Sequence, residues 1–243
     1  MKKAVLVIGA SSSIGTPLVD RLLRDGFHVI GQFRTISEQL TQLNCEFPDA
    51  LELFQLDFKS EDVLEKTKGL LALCQKNLFA VVHLPSFPPS MKALYKTDIQ
   101  EIYQHFDVQI NSLHYVFSGL HKSLARSKDF RIVGVNTEIT GMKIPPKGFG
   151  SYAIAKAAAA TYFDCLDAEY REKSVNVNQI LPGMFRSPLL ENLPEFVIES
   201  LLGVLDESAG RRVCPDRDLV SLIMYLLSPE GGNVRGQKIS VGA

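Results

Sequence analysis

Neither sign of charge dominates this chain of 243 residues: 26 Lys and Arg stand against 27 Asp and Glu, a formal net charge of −1. The electrostatic excess that draws a protein to nucleic acid or to an anionic membrane is missing, so neither is expected as a partner. Long apolar runs are missing too. Lys2-Lys3 precedes an apolar run of only Ala4 to Ala10, short of a signal peptide and far short of the roughly 20 residues of a membrane span. The chain reads as cytoplasmic. Cysteine is sparse: Cys45, Cys74, Cys165 and Cys214 form no CxxC pair and keep no metal-ligand spacing to a histidine. Four scattered, buried thiols are expected rather than disulfides, and no metal site. No internal repeat or low-complexity linker divides the chain, so one domain over 1–243 is expected.

What is present is an alternation of short β-branched runs with longer amphipathic stretches. Ala4 to Ile8 is continuously apolar and ends at Gly9, as suits a strand buried on both faces of a parallel sheet. Ile14 to Asp25 follows with helical spacing and stops at Gly26. Further strands are predicted at 28–33, 51–56, 80–84, 131–135 and 175–181, with a last one at 238–241. Helices are predicted near 36–44, 60–76, 98–126 and 151–172. Strands alternating with helices imply right-handed βαβ crossovers and an α/β fold, a Rossmann-type doubly wound parallel sheet with helices on both faces. Ligands of such sheets bind beyond the C-terminal strand ends, so chemistry is sought immediately after each strand.

After the first strand comes Gly9-Ala10-Ser11-Ser12-Ser13-Ile14-Gly15. Small residues there let a pyrophosphate approach the backbone at a helix N-terminus, although a plain tight βα turn has the same composition. After the second strand stands Arg34, and no acid appears until Glu38. A cation at that place suits the 2′-phosphate of NADP(H), whereas NAD(H), which remains possible, is usually met by an acid. A solvated surface arginine is the plain alternative. After the third strand Asp57-Phe58 offers a carboxylate for an adenine amino group or for capping the next segment. Tyr152 and Lys156, four apart, share a helix face after the fifth strand. An ammonium beside a phenol lowers the phenol pKa and makes it a usable general acid/base.

Together these segments resemble the short-chain dehydrogenase/reductase family from residue 4 to the end. Gly9 to Gly15 is similar to its glycine-rich turn and Tyr152/Lys156 to its catalytic pair. Leu181-Pro182-Gly183-Met184-Phe185-Arg186-Ser187 is similar to its proline-glycine segment, and Ser228-Pro229-Glu230 through Val234-Arg235-Gly236-Gln237 to its C-terminal signature. The resemblance implies hydride transfer between a nicotinamide and a small carbonyl or alcohol. Tyr152 would be the acid/base, Lys156 would lower its pKa and bind the nicotinamide ribose, and Asn111 would hold a relay water. Gly9, Ser11, Ser12, Ser13, Ile14, Gly15, Arg34, Asp57, Phe58, Leu84, Pro85, Pro182, Gly183, Phe185 and Ser187 would border the cofactor. A homodimer or homotetramer built on the helix carrying Tyr152 is expected by the same analogy, with Ala157 to Ala160 permitting close packing.

Three departures from the family pattern stand out. Ser13 replaces the second glycine of the turn. His83-Leu84-Pro85-Ser86 replaces the Asn-Asn-Ala-Gly after the fourth strand, with His83 read as structural. Glu138, preceded by Thr137, stands where the catalytic serine belongs. A carboxylate cannot donate a hydrogen bond to the substrate oxygen, so Thr137, ahead of Thr140, is the candidate hydroxyl. Glu138 itself is expected to point to solvent, the alternatives being a substrate contact or a site that has lost reductase activity. Phe149 with Pro145-Pro146, and Leu189 in a leucine-rich lid over about 187–214, are candidate substrate walls. Two rival functions remain. One is a non-catalytic NADP(H)-binding or redox-sensing protein. The other is sugar-nucleotide epimerase or dehydratase chemistry, against which the short segment after Ser187 argues.

Overall fold

The apolar run Ala4–Ile8 forms the central strand β1, buried along its whole length. The computed structural model describes residues 2–75, 77–183 and 216–242. Six more strands join β1: β2 (His28–Phe33), β3 (Leu51–Gln55), β4 (Leu78–His83), β5 (Phe130–Val135), β6 (Val175–Pro182) and β7 (Lys238–Val241). All pair in parallel, in the order β3-β2-β1-β4-β5-β6-β7. The order reverses between β1 and β4, which opens a crevice at their C-terminal ends.

Alternation along β1 explains why the run has no polar side. Val5 and Val7 face one layer, where Leu18 and Leu22 of α1 (Gly15–Arg24), Leu40 of α2 (Glu38–Glu46) and Ile223 of α7 (Asp216–Leu227) meet them. Leu6 and Ile8 face the other. There they meet Leu70 of α3 (Val63–Leu73), Val116 and Leu120 of α5 (Ser112–Arg126) and Phe163 of α6 (Gly150–Tyr170). Side chains of a strand point to opposite faces in turn, so a sheet covered on both sides needs apolar residues at every position.

The stretch expected as one helix over 98–126 is helical throughout but not uniform. It starts as α4 (Ile99–Phe106), passes through a π-helical segment at Asp107–Asn111 and continues as α5. Such a widened turn accommodates an extra residue without breaking the helix, and often lies at functional sites.

Cysteine burial differs from expectation. Cys74 is buried, its thiol pushed up to about 12 by desolvation, whereas Cys45 and Cys165 are exposed free thiols on α2 and α6. The pattern of apolar residues places a helix but does not say which face an isolated cysteine takes. Among the described residues no helix is long and apolar enough to cross a membrane, and no acidic, His or Cys cluster could hold a metal. The expected lid over 187–214, with Phe185, Ser187 and Leu189, lies outside the described residues, as does Cys214.

Candidate active site

The turn after β1 is wound on itself. Gly9 has φ +86°, and a Cβ on Gly15 would stand 2.2 Å from the Gly9 carbonyl oxygen, so only glycine fits that second position. Ser12 binds both: its Oγ donates to Gly9 O at 2.8 Å and accepts from Gly15 N at 2.9 Å. Ser13, where a glycine was expected, is accommodated half-buried. Among the described residues the Ser13 and Ile14 N–H groups have no hydrogen-bond partner at the start of α1. Two free donors at a helix N-terminus suit an anionic pyrophosphate.

The turn is anchored by a residue that pattern reading passed over. Gln32, 2% exposed, lies in β2; its Oε1 accepts from Gly9 N at 3.0 Å and its Nε2 donates to Leu56 O at 2.6 Å. It therefore ties together the ends of β1, β2 and β3. Its signal was a lone amide in a strand whose only other polar residue is His28 at its start. Opposite, Leu84 closes on the turn, its Cβ 3.3 Å from the place of a Gly9 Cβ, with Pro85 beside it. The expected neighbours Gly9, Leu84 and Pro85 are thus brought together.

Arg34 is exposed at the end of β2, and its carbonyl accepts from Gln55 Nε2 at 3.1 Å. Asp57 is half-buried, and its Oδ1 accepts from Lys59 N at 2.9 Å, which closes a local turn rather than capping α3, whose N-cap position is Asp62. The Phe58 side chain lies in the core beneath α3 and α5. Pro182 ends β6 and Gly183 follows it, its N donating to Val241 O at 2.9 Å.

Tyr152 and Lys156 are both buried on α6, the Lys156 Nζ 5.8 Å from the Tyr152 ring centre. A polar network sets α6 at this height. Asn136, just after β5, donates from Nδ2 to Lys156 O at 3.2 Å, and Gln179 of β6 donates from Nε2 to Ala160 O at 3.1 Å. Thr137 and Ser86 face the phenol, whereas the Thr140 hydroxyl turns away to donate to Thr137 O at 2.8 Å. Ser86 Oγ lies close enough to favour the phenolate yet makes no hydrogen bond of ordinary length.

The electrostatics correct the expectation drawn from the Tyr–Lys spacing. Burial raises the Tyr152 pKa, and the Ser86 and Thr137 hydroxyls pull it back only in part. Burial likewise pushes the Lys156 ammonium down to about 7, so the lysine is a weak source of positive charge. Spacing shows which groups meet; desolvation depends on what covers them.

Glu138 does not point away to solvent. It is half-buried, and its Oε2 lies 3.4 Å from where a Cβ on Gly183 would stand, so the carboxylate reaches back across the end of β6. Phe149 packs edge-on against Tyr152 with ring centres 6.2 Å apart. The Asn111 side chain donates to Asp107 Oδ1 at 2.8 Å, within the π-helical segment, and its neighbour Ser112 is the fully buried one.

Ser112 pairs with His83. Their Oγ and Nε2 are 2.8 Å apart, and because Ser112 Oγ donates its only proton to Val108 O, the imidazole donates from Nε2. Burial, helped by Lys156, holds His83 down to about 3. His83 is therefore a neutral tie between β4 and α5, the structural part read from sequence.

Comparison with known proteins accords with this geometry. Residues 3–197 match the family model for short chain dehydrogenase. Along 99% of its length the chain is 24% identical to 3-oxoacyl-(acyl-carrier-protein) reductase FabG of Buchnera aphidicola subsp. Schizaphis graminum, covering 96% of that protein. It is 25% identical to oxidoreductase UcpA of Salmonella typhimurium, over 99% of this chain and 97% of that one. Among solved structures, 4-hydroxyisoleucine dehydrogenase complexed with NADH superposes with a TM-score of 0.84 at 20% identity, over 99% and 97% of the two chains. ElxO with NADP bound gives 0.83 at 18% identity, over the same shares.

Proposed function

The chain belongs to the short-chain dehydrogenase/reductase family, and from that membership we propose that it is an NADP(H)-dependent oxidoreductase acting on a small carbonyl or alcohol, with Tyr152 as general acid/base. The observation that carries the reading is the buried Tyr152 phenol beside Lys156 and the Thr137 hydroxyl, at the strand ends that also carry the glycine turn. The nicotinamide, when bound, supplies or accepts the hydride.

The protein's own groups do the rest. A phenol whose pKa is raised by burial keeps its proton at neutral pH, so Tyr152 is set to donate to a carbonyl oxygen during reduction. Thr137 supplies a second donor to that oxygen. Lys156 would hold the nicotinamide ribose hydroxyls, Ser13 and Ile14 N–H the pyrophosphate, and exposed Arg34 a 2′-phosphate. A homodimer or homotetramer formed through α6 accords with its exposed Ile154 and Ala157.

Calorimetric titration with NADPH and with NADH tests the reading. NADPH is expected to bind more tightly, and Arg34→Ala to bring the two affinities together. Tyr152→Phe should leave NADPH binding intact and lower carbonyl reduction by about 10²–10⁴. If neither cofactor binds, the reading fails.

Glu138 favours one second reading, a protein that binds the cofactor but has little turnover. Its carboxylate stands at Gly183, and in place of a serine hydroxyl it has no proton to donate to a substrate oxygen. Glu138→Ser separates the two in steady-state kinetics. Turnover gained on substitution supports a weakened site, and turnover lost supports a catalytic one.

A further inference from the structure

Buried His105 and Gln109 and half-buried Ser86 hold five enclosed polar atoms that have no partner among the described residues. Among the described residues, His105 Nδ1 and Nε2, Gln109 Nε2 and Oε1, and Ser86 Oγ have no hydrogen-bond partner. His105 is fully buried and Gln109 is 1% exposed. Native interiors rarely leave one such atom dry, and five together call for a partner, either enclosed water or a bound ligand. The atoms are sealed from bulk water, so a ligand that enters beside them competes only with enclosed water.

Their placement says what carries it. His105 of α4 packs on Tyr152 of α6, and Gln109, four residues later, is the buried residue of the π-helical segment, which also packs against α6. The imidazole stands edge-on to the Tyr152 ring at 6.1 Å between centres and to Phe87 at 4.9 Å. Ser86 precedes Phe87 and faces the Tyr152 hydroxyl. Tyr152 is itself buried, and a substrate that reaches its phenol arrives beside these atoms.

The chemistry of the three side chains selects the group they bind. A neutral imidazole offers one donor and one acceptor, a carboxamide offers both, and so does a hydroxyl. Burial keeps His105 neutral, holding it down to about 4 against the opposing pull of Glu101. An acceptor-only carboxylate or phosphate would leave the acceptor atoms unpaired, and an alkyl group would leave all five. A hydroxyl both donates and accepts, so it pairs with atoms of either kind and meets up to three of the five, with enclosed water or a second substrate oxygen meeting the rest.

We propose that His105, Gln109 and Ser86 form a hydroxyl-recognition subsite beside Tyr152, which makes hydroxyketones and the corresponding diols the preferred substrate class. This rests on the reductase reading above and specifies its substrate. A site built to bond a hydroxyl discriminates strongly against the analogue lacking it, because its own polar groups are then left unpaired.

The experiment compares kcat/KM with NADPH for matched pairs: hydroxyacetone against acetone, acetoin against 2-butanone, and 4-hydroxy-2-butanone against 2-butanone. At least one hydroxyketone is expected to exceed its parent ketone by roughly tenfold or more. In His105→Phe and in Gln109→Leu that ratio should collapse toward one through loss on the hydroxyketone, with the parent ketone still reduced. Gln109→Leu serves alone where His105→Phe does not fold. Equal rates within every pair, or a preference that survives both substitutions, overturn the subsite and assign the polar atoms to internal water only. If no ketone is reduced with NADPH or NADH, the reductase reading fails by itself. The subsite is then read by nitrogen-15 NMR of the imidazoles: shifts of the His105 ring signals on adding acetoin or 2,3-butanediol support it, and unmoved signals overturn it.

Discussion

Lys156 shows how far the protein alone falls short of a working site. Buried without a charged partner strong enough to offset desolvation, its pKa falls to about 7, whereas in the unfolded chain it keeps an ordinary lysine value near 10.4. Between those values the unfolded state binds more protons, so Lys156 makes the cofactor-free protein less stable at pH 7 than at pH 10. Ribose hydroxyls and the phosphates of a dinucleotide would favour the ammonium and raise its pKa. NADPH binding at pH 8 should therefore take up close to one proton, about one per chain at most. Calorimetry in buffers of different ionisation enthalpy measures that uptake. Lys156→Met should abolish it, and uptake unchanged in that variant would assign the proton to another group. The Tyr–Lys pairing was legible from its spacing of four. The direction of both pKa shifts was not, because it depends on cover that β4, β5 and α4 bring from distant parts of the chain.

At the scale of elements, the strands were legible because a sheet covered on both faces leaves unbroken apolar runs such as Ala4 to Ile8. The π-helical segment Asp107–Asn111 was not, because one widened turn disturbs helical periodicity no more than ordinary sequence variation does. The family resemblance implies a relay role for Asn111; in the fold its side chain turns to Asp107, and Ser112 takes the buried place beside His83. The polar residues in and beside the strands were equally hidden: Gln32 and Gln179 interrupt β2 and β6, Asn136 follows β5, and in the fold they set the positions of the glycine turn and of α6. Gln32→Leu tests this positioning. It keeps the side chain's bulk but leaves Leu56 O without the amide and Gly9 N with only its main-chain partner. Loss of about 1–3 kcal/mol in urea unfolding is expected, with weaker NADPH binding because the turn is less firmly held. Weaker binding with unchanged stability would mean that Gln32 touches the cofactor rather than supporting its cradle.

At the scale of the whole molecule, the strand order converts scattered residues into one edge: Gly9, Arg34, Leu84, Thr137 and Gly183 all stand at C-terminal strand ends because every strand runs the same way. This much follows from alternation of strands and helices alone. The surface carries less of a pattern, yet α6 presents Ile154, Ala157, Thr161 and Cys165 outward along one face, while Leu94, Tyr95, Ile99 and Tyr103 are exposed around α4. Small residues on a long helix allow a second helix to approach closely, and exposed apolar side chains grouped together mark association surfaces. Pairing of α6 with α6 of a second copy would place the two Tyr152 sites on one rigid layer and relieve both groups of water. Light scattering should then give a multiple of the 26.9 kDa chain mass. Ala157→Arg, which sets a long charged side chain at the centre of that face and points away from Tyr152, should return the mass to that of one chain. It should also lower the midpoint of thermal unfolding, since the exposed face is no longer covered. A multimer that tolerates Ala157→Arg must be built on another surface, with α4 and its exposed Tyr103 the next to be substituted.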